Sequence, residues 1–328
     1  MLILDREQVE SLLDTDALIA ALAPAMVELS TGRVSMPQRI AAQVKEPPGL
    51  LGVMPAFLAS SHTLSCKLVS VFPRNAPLGL PTHQAAVMLF HPKNGTPLAL
   101  MDGASITTLR TAAGSALATH LLAREDAAVL LVIGTGVQAR AHARAAARVR
   151  KLGEIRVAGR DAARAATMAH ELGKELGVDA QGLPIGHTAF LGADIVCAAT
   201  HAEEPVVKGA WLAPGMHVNS VGLNFLGREV DAEAVRRARV VVESRQAALA
   251  LPPAGANDLS WAIRDGVIGL EHLHAEIGEI LAGSRPGRSD PAQITLYKSV
   301  GVAVQDAVAA QLVYDAACKQ GVGLEVRI

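Results

Sequence analysis

The segment 127–139, AAVLLVIGTGVQA, constrains the fold of this chain more than any other. An unbroken apolar run reaches Gly134, and Gly134-Thr135-Gly136-Val137-Gln138-Ala139 follows. A strand of apolar residues alone must be buried on both faces, as happens in parallel sheets covered by helices. A G-x-G-x-x-A turn between such a strand and a helix has a physical use. The first glycine permits a tight turn, the second lets the backbone approach a pyrophosphate, and the small last residue lets helix and strand pack closely. The next helix turns its N–H groups and the positive end of its dipole toward the phosphates. We therefore expect a dinucleotide-binding turn here rather than an ordinary glycine corner.

The flanking pattern agrees. Segments 154–159, 193–200, 216–222 and 238–244 read as further buried strands, with helices at 137–150 and 161–176. Strands alternating with helices imply a parallel sheet. The first third has another texture. A helix is expected over 5–31, with Pro24 as the place for a kink. Strands are expected at 50–58, 65–73, 85–92 and 96–103, the last two joined through the hairpin signal Lys93-Asn94-Gly95. A helix over 105–123 has Ser105 as its N-cap, and another runs over 299–318. The stretch 283–291, GSRPGRSDP, reads as a flexible connection. The fold class expected from these patterns is α/β, a parallel sheet covered by helices that follows a mixed first third.

Composition excludes several functions. Lys and Arg number 30 against 31 Asp and Glu, so no basic surplus exists for a nucleic acid backbone. Aromatics are 3% of the chain, too few for stacking platforms along a single strand. Cys66, Cys197 and Cys318 are far apart and make neither a metal-ligand spacing nor a disulfide framework, which suits a reducing, cytoplasmic setting. His83 with His91, His120 with His142, and His272 with His274 form no recognised ligand set, so no metal is expected. The N-terminus lacks a signal-peptide core, and no apolar run approaches the roughly 20 residues of a membrane span. Neither nucleic acid nor membrane is expected as a partner.

The end of the second strand bears on the cofactor. NAD sites usually carry Asp or Glu there, bonded to the ribose 2′-hydroxyl. This chain has Gly159-Arg160-Asp161. Glycine leaves room for a 2′-phosphate and arginine can fork onto it, so NADP(H) is favoured. NAD(H) is the alternative, because a shift of register would make Asp161 the ribose acid; otherwise Asp161 caps the next helix. A hydride-transfer site also needs groups to hold its substrate. Arg39, Lys67, Thr82 and Arg110 are the candidates, although spacing alone favours a surface cation or turn residue at each.

The stretches 66–75, 79–103, 107–118, 132–142, 193–200, 214–222, 227–231 and 297–310 together resemble the ornithine cyclodeaminase/mu-crystallin family, which includes archaeal alanine dehydrogenases. The resemblance spans nearly the whole chain. It implies a Rossmann dinucleotide-binding domain over 121–297 inserted into an α+β substrate and dimerisation domain formed by 1–120 and 298–328, a homodimer in which the sheets of two substrate domains join, and a small amino or imino acid as substrate. It places Arg39 and Lys67 on the substrate carboxylate and Val300 beside the substrate. It places Thr82, Arg110, Val137, Gln138, Thr200, Val221, Asn224, Arg228 and Ser299 on the cofactor, alongside the turn glycines Gly134 and Gly136 and the Gly159-Arg160 pair. Lys67 and Asn224 are the positions implied at the reacting centre. The family's cyclodeaminases carry an aspartate where this chain has Asn224, and an amide can orient by hydrogen bonds but cannot take up a proton near neutral pH. The activity expected is hydride transfer at the α-carbon of an amino or imino acid, as in ketimine reductases and amino-acid dehydrogenases. The alternatives are ornithine cyclodeamination and non-catalytic binding of NADPH and a small acid.

Overall fold

The structure is a computed structural model and describes residues 1–222, 224, 226–251 and 254–327. The chain forms two compact units, Met1–Arg110 with Val302–Ile328, and Thr111–Gly301.

The first unit is built on an eight-stranded sheet. Its strands are β1 (Leu2–Leu4), β2 (Val34–Ser35), β3 (Ile40–Val44), β4 (Gly49–Leu58), β5 (Thr63–Val71), β6 (His83–Phe90), β7 (Pro97–Asp102) and the short strand Leu324–Glu325. β4 through β7 form an antiparallel meander, and β1 runs parallel to β7. Alternate residues Met54, Ala56, Leu58, Val87, Leu89, Ala99 and Met101 are buried, as the two-residue period of a half-covered sheet requires. The C-terminal helix (Ala303–Gln320) packs across β4, β5 and β6, and meets helices α1 (Arg6–Leu12) and α2 (Thr15–Ser30). The hairpin at Lys93-Asn94-Gly95 closes with His91 N–H donating to the Thr96 carbonyl at 2.8 Å.

Three helix boundaries differ from the sequence reading, and one of them is the helix expected over 299–318, which runs over Ala303–Gln320 because Ser299, Val300 and Gly301 form a turn on the Glu243 carboxylate. The helix expected over 5–31 is two helices, because Asp14 leaves the helical conformation and its carboxylate accepts from Ala17 N. Pro24 lies inside the second of them. Ser105 is not an N-cap. Helix α3 (Gly103–Leu122) starts two residues earlier, the Asp102 carboxylate accepts from Ser105 N at 2.7 Å, and the Ser105 hydroxyl donates to Glu10. The division between the units falls within α3, after Arg110.

The second unit carries a parallel sheet of β8 (Val129–Ile133), β9 (Glu154–Gly159), β10 (Asp179–Pro184), β11 (Ile195–Ala198), β12 (His217–Ser220), β13 (Arg239–Val242), β14 (Leu273–Glu276) and β15 (Thr295–Lys298). The spatial order is β10-β9-β8-β11-β12-β15-β13-β14. From β8 the chain steps outward to β9 and β10, then returns to β11 on the other side of β8. That reversal is the topological switch point, where the carboxyl ends of open α/β sheets leave a crevice for ligands. Helix α4 (Val137–Val149) packs on β8 and β11, and α5 (Ala162–Leu176) on β9 and β10. Leu130, Leu131, Val132 and Ile133 of β8 have no exposed surface, as its apolar composition predicts. The sequence reading did not find β10, β14 or β15. β10 is an edge strand, DAQGLP, whose composition opposes a strand and whose place comes from pairing with β9.

The stretch 283–291 is pinned rather than flexible. Arg288 Nε donates to the Leu122 carbonyl at 2.7 Å, and its other nitrogens reach the carbonyls of Met216 and Gln293 and the Thr295 hydroxyl. One guanidinium thus satisfies carbonyls from several segments. We expect Arg288→Ala to cost about 1–3 kcal/mol of stability through those orphaned acceptors, read as a lower Tm. Limited proteolysis should then cut within 283–291, where the parent protein resists.

Candidate active site

The turn after β8 has the geometry its sequence implied. Gly134 sits at φ +119°, and a Cβ there would lie 2.6 Å from the Ala199 carbonyl oxygen. Strain and crowding both demand glycine. Gly136 is different. It is the N-cap of α4, and no heavy atom lies within 4 Å of where its Cβ would be. Nothing inside the protein requires a glycine at 136, whereas a pyrophosphate laid on the helix end would need the space. Val137 is exposed, Gln138 stands in the first turn of α4, and Ala139 is fully buried. Gly159 ends β9, with its Cβ position 2.8 Å from Thr135 Cγ2. Arg160 is exposed next to it, while the Asp161 carboxylate accepts from Arg164 N at 3.1 Å and caps α5.

Buried carboxylates organise the loops at the carboxyl ends of the neighbouring strands. Glu229 Oε1 accepts from Thr200 N at 2.7 Å and Thr200 Oγ1 at 2.8 Å. Its Oε2 accepts from Ser220 Oγ at 2.7 Å and Gly222 N at 2.9 Å. One side chain therefore ties the turn after β11 to the turn after β12. Lys298 Nζ pairs with Asp258 at 2.8 Å and donates to Ser220 Oγ and the Gly222 carbonyl, and Asp258 accepts the N–H groups of Glu229 and Val230. Glu243, at the end of β13, accepts from Ser299 Oγ at 3.0 Å, Val300 N at 2.9 Å and Gly301 N at 2.8 Å. Thr200, Ser299 and Val300, all singled out in the sequence, are held by carboxylates that the reading had not assigned. A signal was present for Glu243, an acid directly after the apolar run Val240-Val241-Val242, but not for Glu229, which stands between Arg228 and Val230.

Val221 N donates to the Ala198 carbonyl at 3.1 Å. Leu223, between Val221 and Asn224, lies outside the described residues. The Asn224 amide donates to the His201 carbonyl at 2.9 Å and accepts from Leu226 N at 2.8 Å, so both its ends brace its own loop. Arg228 lies over the Trp261 ring, 5.9 Å from its centre, and its Nη1 is buried with no hydrogen-bond partner among the described residues. An unsatisfied buried guanidinium nitrogen is costly, and an anion would satisfy it. His142, His272 and His274 serve structure. His142 bonds Ser115 and the Gln138 carbonyl, and burial pushes it down to about 4, so it is neutral at physiological pH. His272 and His274 bond backbone carbonyls. Among the described residues no group of His, Cys, Asp and Glu could hold a metal.

In the first unit, β5, α3 and the C-terminal helix bring Lys67, Arg110 and Asp306 together. Lys67 Nζ lies 3.0 Å from Asp306 Oδ1 and 2.5 Å from Thr107 Oγ1. Arg110 Nε lies 3.1 Å from the same Asp306 oxygen, and its Nη1 donates to Gln305 at 3.0 Å. All three charged side chains are buried. Burial lowers Lys67 to about 8, with the charges of Arg110 and Arg39 adding to the fall and Asp306 opposing it. Burial alone would raise the Asp306 carboxyl, but Arg110 and Lys67 hold it below the usual carboxylate range. Arg39 is half-buried between β2 and β3, close enough for its charge to act on Lys67. Thr82 precedes β6, and its carbonyl accepts from Phe72 N at 2.9 Å. Arg110, which the resemblance had placed on the cofactor, is engaged with Asp306. Sequence reasoning missed Asp306, although an aspartate on the apolar stretch VAVQDAVAA was its visible mark.

Comparison with known proteins places this arrangement. The profile of the ornithine cyclodeaminase/mu-crystallin family matches residues 1–321. The chain is 38% identical over 317 residues to mouse (Mus musculus) ketimine reductase mu-crystallin, covering 95% of this chain and 96% of that one. It superposes with TM-score 0.95 and 39% identity on the Thermococcus litoralis Δ1-pyrroline-2-carboxylate reductase solved with NADH and L-proline, covering 99% and 100% of the two chains. An archaeal alanine dehydrogenase dimer with bound NAD superposes at TM-score 0.92 and 33% identity, covering 100% and 99%.

Gly136→Ala separates a glycine needed by the fold from one needed by a ligand. We expect an unchanged Tm and a loss of dinucleotide affinity of about tenfold or more, read by quenching or transfer of protein fluorescence, because the new methyl meets only what binds there.

Proposed function

The chain belongs to the ornithine cyclodeaminase/mu-crystallin family, and on that premise we propose that it is an NAD(P)-dependent imine reductase acting on small cyclic imine carboxylates, Δ1-pyrroline-2-carboxylate among them. The observation that carries this reading is Lys67: a buried ammonium brought down to about 8, beside Arg110 and within reach of the charge of Arg39. Two cations, Lys67 and Arg110, on one buried carboxylate leave a positive excess, which suits a substrate carboxylate. An ammonium has three donors. Thr107 and Asp306 take two, and the substrate would take the third. A donor that titrates near neutral pH is matched to protonating an imine nitrogen.

The bound nicotinamide would supply the hydride. For this chain's part, Gly134, Gly136 and the start of α4 would take the pyrophosphate, Arg228 an anionic oxygen, and the turns tied by Glu229 and Glu243 the remainder of the cofactor. The unit holding β1–β7 would bind substrate and the unit holding β8–β15 the dinucleotide. Lys67 would protonate or orient, Arg39 would clamp the carboxylate, and Val300 would border the substrate. Asn224 would orient at most, because its amide is occupied and cannot carry a proton, and no carboxylate stands there for cyclodeamination. Gly159 with exposed Arg160, and Asp161 committed to its helix cap, support NADP(H) over NAD(H). Exposed Ile40, Leu51 and Leu68 on the uncovered side of the first sheet support a homodimer, acting in the cytoplasm.

Purified protein should oxidise NADPH or NADH when given Δ1-pyrroline-2-carboxylate, followed by the absorbance of the reduced cofactor. Lys67→Met should lower kcat/KM by about 10²–10⁴-fold and leave dinucleotide affinity intact. Turnover unaffected by that change would refute the assignment. Arg160→Ala should weaken NADPH by about tenfold more than NADH in a binding titration. An equal loss for both would remove the 2′-phosphate role.

A further inference from the structure

The C-terminal helix places a carboxylate where its neighbours are Ala303, Val304, Ala307, Val308 and Ala310. Asp306 is 1% exposed. Its Oδ1 receives both Lys67 Nζ and Arg110 Nε, and its Oδ2 is buried without a hydrogen-bond partner among the described residues. That is a poor arrangement for stability alone, since a buried ion pair roughly breaks even against apolar residues of similar volume and an orphaned oxygen adds a cost. It makes sense as a device for the cations. Gln305, one residue earlier, takes Arg110 Nη1, and Thr107 takes Lys67 while giving its own proton to the Gly103 carbonyl at 2.6 Å. Each cation is thus held from two sides, with one oxygen common to both.

Resting on the reductase reading above, we propose that Asp306 is a positioning residue for the reaction: through one oxygen it locks Lys67 and Arg110 side by side, and its charge keeps the Lys67 ammonium protonated as the proton donor. In the reducing direction the imine nitrogen takes a proton from Lys67 Nζ. The α-carbon takes the hydride pair from NAD(P)H, which leaves as NAD(P)⁺. Lys67 is left neutral and is recharged from water. The charged groups acting on Lys67 are Asp306, Arg110 and Arg39, and of these Asp306 alone favours the ammonium. Without its charge, two buried cations would face each other with a half-buried third nearby, and Lys67 would give up its proton at lower pH.

Asp306→Asn keeps the shape and an acceptor oxygen but removes the charge. In the parent protein kcat/KM for imine reduction should fall on the alkaline side near the Lys67 value of about 8. In the variant that limb should move to lower pH by roughly one unit or more, with dinucleotide affinity unchanged. The ¹³Cε resonance of Lys67, identified by its loss in Lys67→Arg, should titrate with the same displacement, and this readout needs no turnover. A uniform drop in kcat with an unmoved limb and an unmoved midpoint would mean a merely structural role and overturn the proposal. Should Asp306→Asn fail to fold, Asp306→Glu is decisive: the retained charge should leave the limb in place while the displaced oxygen raises KM for the imine, and a shifted limb counts against us. A displaced Lys67 midpoint in a protein that reduces no imine would sink the reductase reading and uphold the coupling.

Discussion

A carboxylate taken out of water must find donors or cations within the fold, and in this chain that requirement is met by gathering groups from segments far apart in sequence. Glu229 collects the turns after β11 and β12, Glu243 collects the Ser299-Val300-Gly301 turn, and Asp258 pairs with Lys298 while accepting two backbone N–H groups. Asp306 joins α3 and β5 to the C-terminal helix. In the second unit these acids bind backbone N–H groups of the loops that follow parallel strands. Glycine turns alone would leave those loops to wander. The acids give them one arrangement.

The two units solve opposite electrostatic problems. In the second, buried acids are neutralised by backbone N–H groups and one lysine, which leaves helix α4 and Arg228 as the places that invite an anion. In the first, cations outnumber the acid among them. Burial there has a cost with a definite sign. Lys67 in the folded protein releases its proton near 8, below the usual lysine value of 10.5. Between those values the unfolded chain binds more protons, so this residue's contribution to stability improves as pH rises from about 8 toward 10.5. At neutral pH the buried ammonium is a liability to the fold, which is the usual mark of a group kept for chemistry.

Local chemistry made much of the fold legible. The strand–turn–helix at β8–α4, the hairpin at Lys93-Asn94-Gly95 and the Asp161 cap follow from patterns a few residues long, and the structure has each of them. The misses have two causes, one local and one tertiary. Ser105 lost the cap to Asp102, which stands nearer the true helix start. The strand β10 exists because β9 lies beside it, and the loop 283–291 is held because Arg288 reaches Leu122, Met216 and Thr295.

By itself, then, the sequence determined the parallel-sheet core, the glycine turn after β8, the likeness to a family of reductases and dehydrogenases, and the residue types at the candidate site. The strand, turn and cap patterns depend on spacings within one element, where the backbone dictates geometry, and the likeness rests on stretches spread over nearly the whole chain. Tertiary structure alone decided which acid meets which base. Asp306 lies 239 positions from Lys67 and 196 from Arg110, and no local rule brings them within 3.1 Å. Only the packing of the C-terminal helix on the β4–β6 meander does that, because burying its apolar face carries the carboxylate in with it.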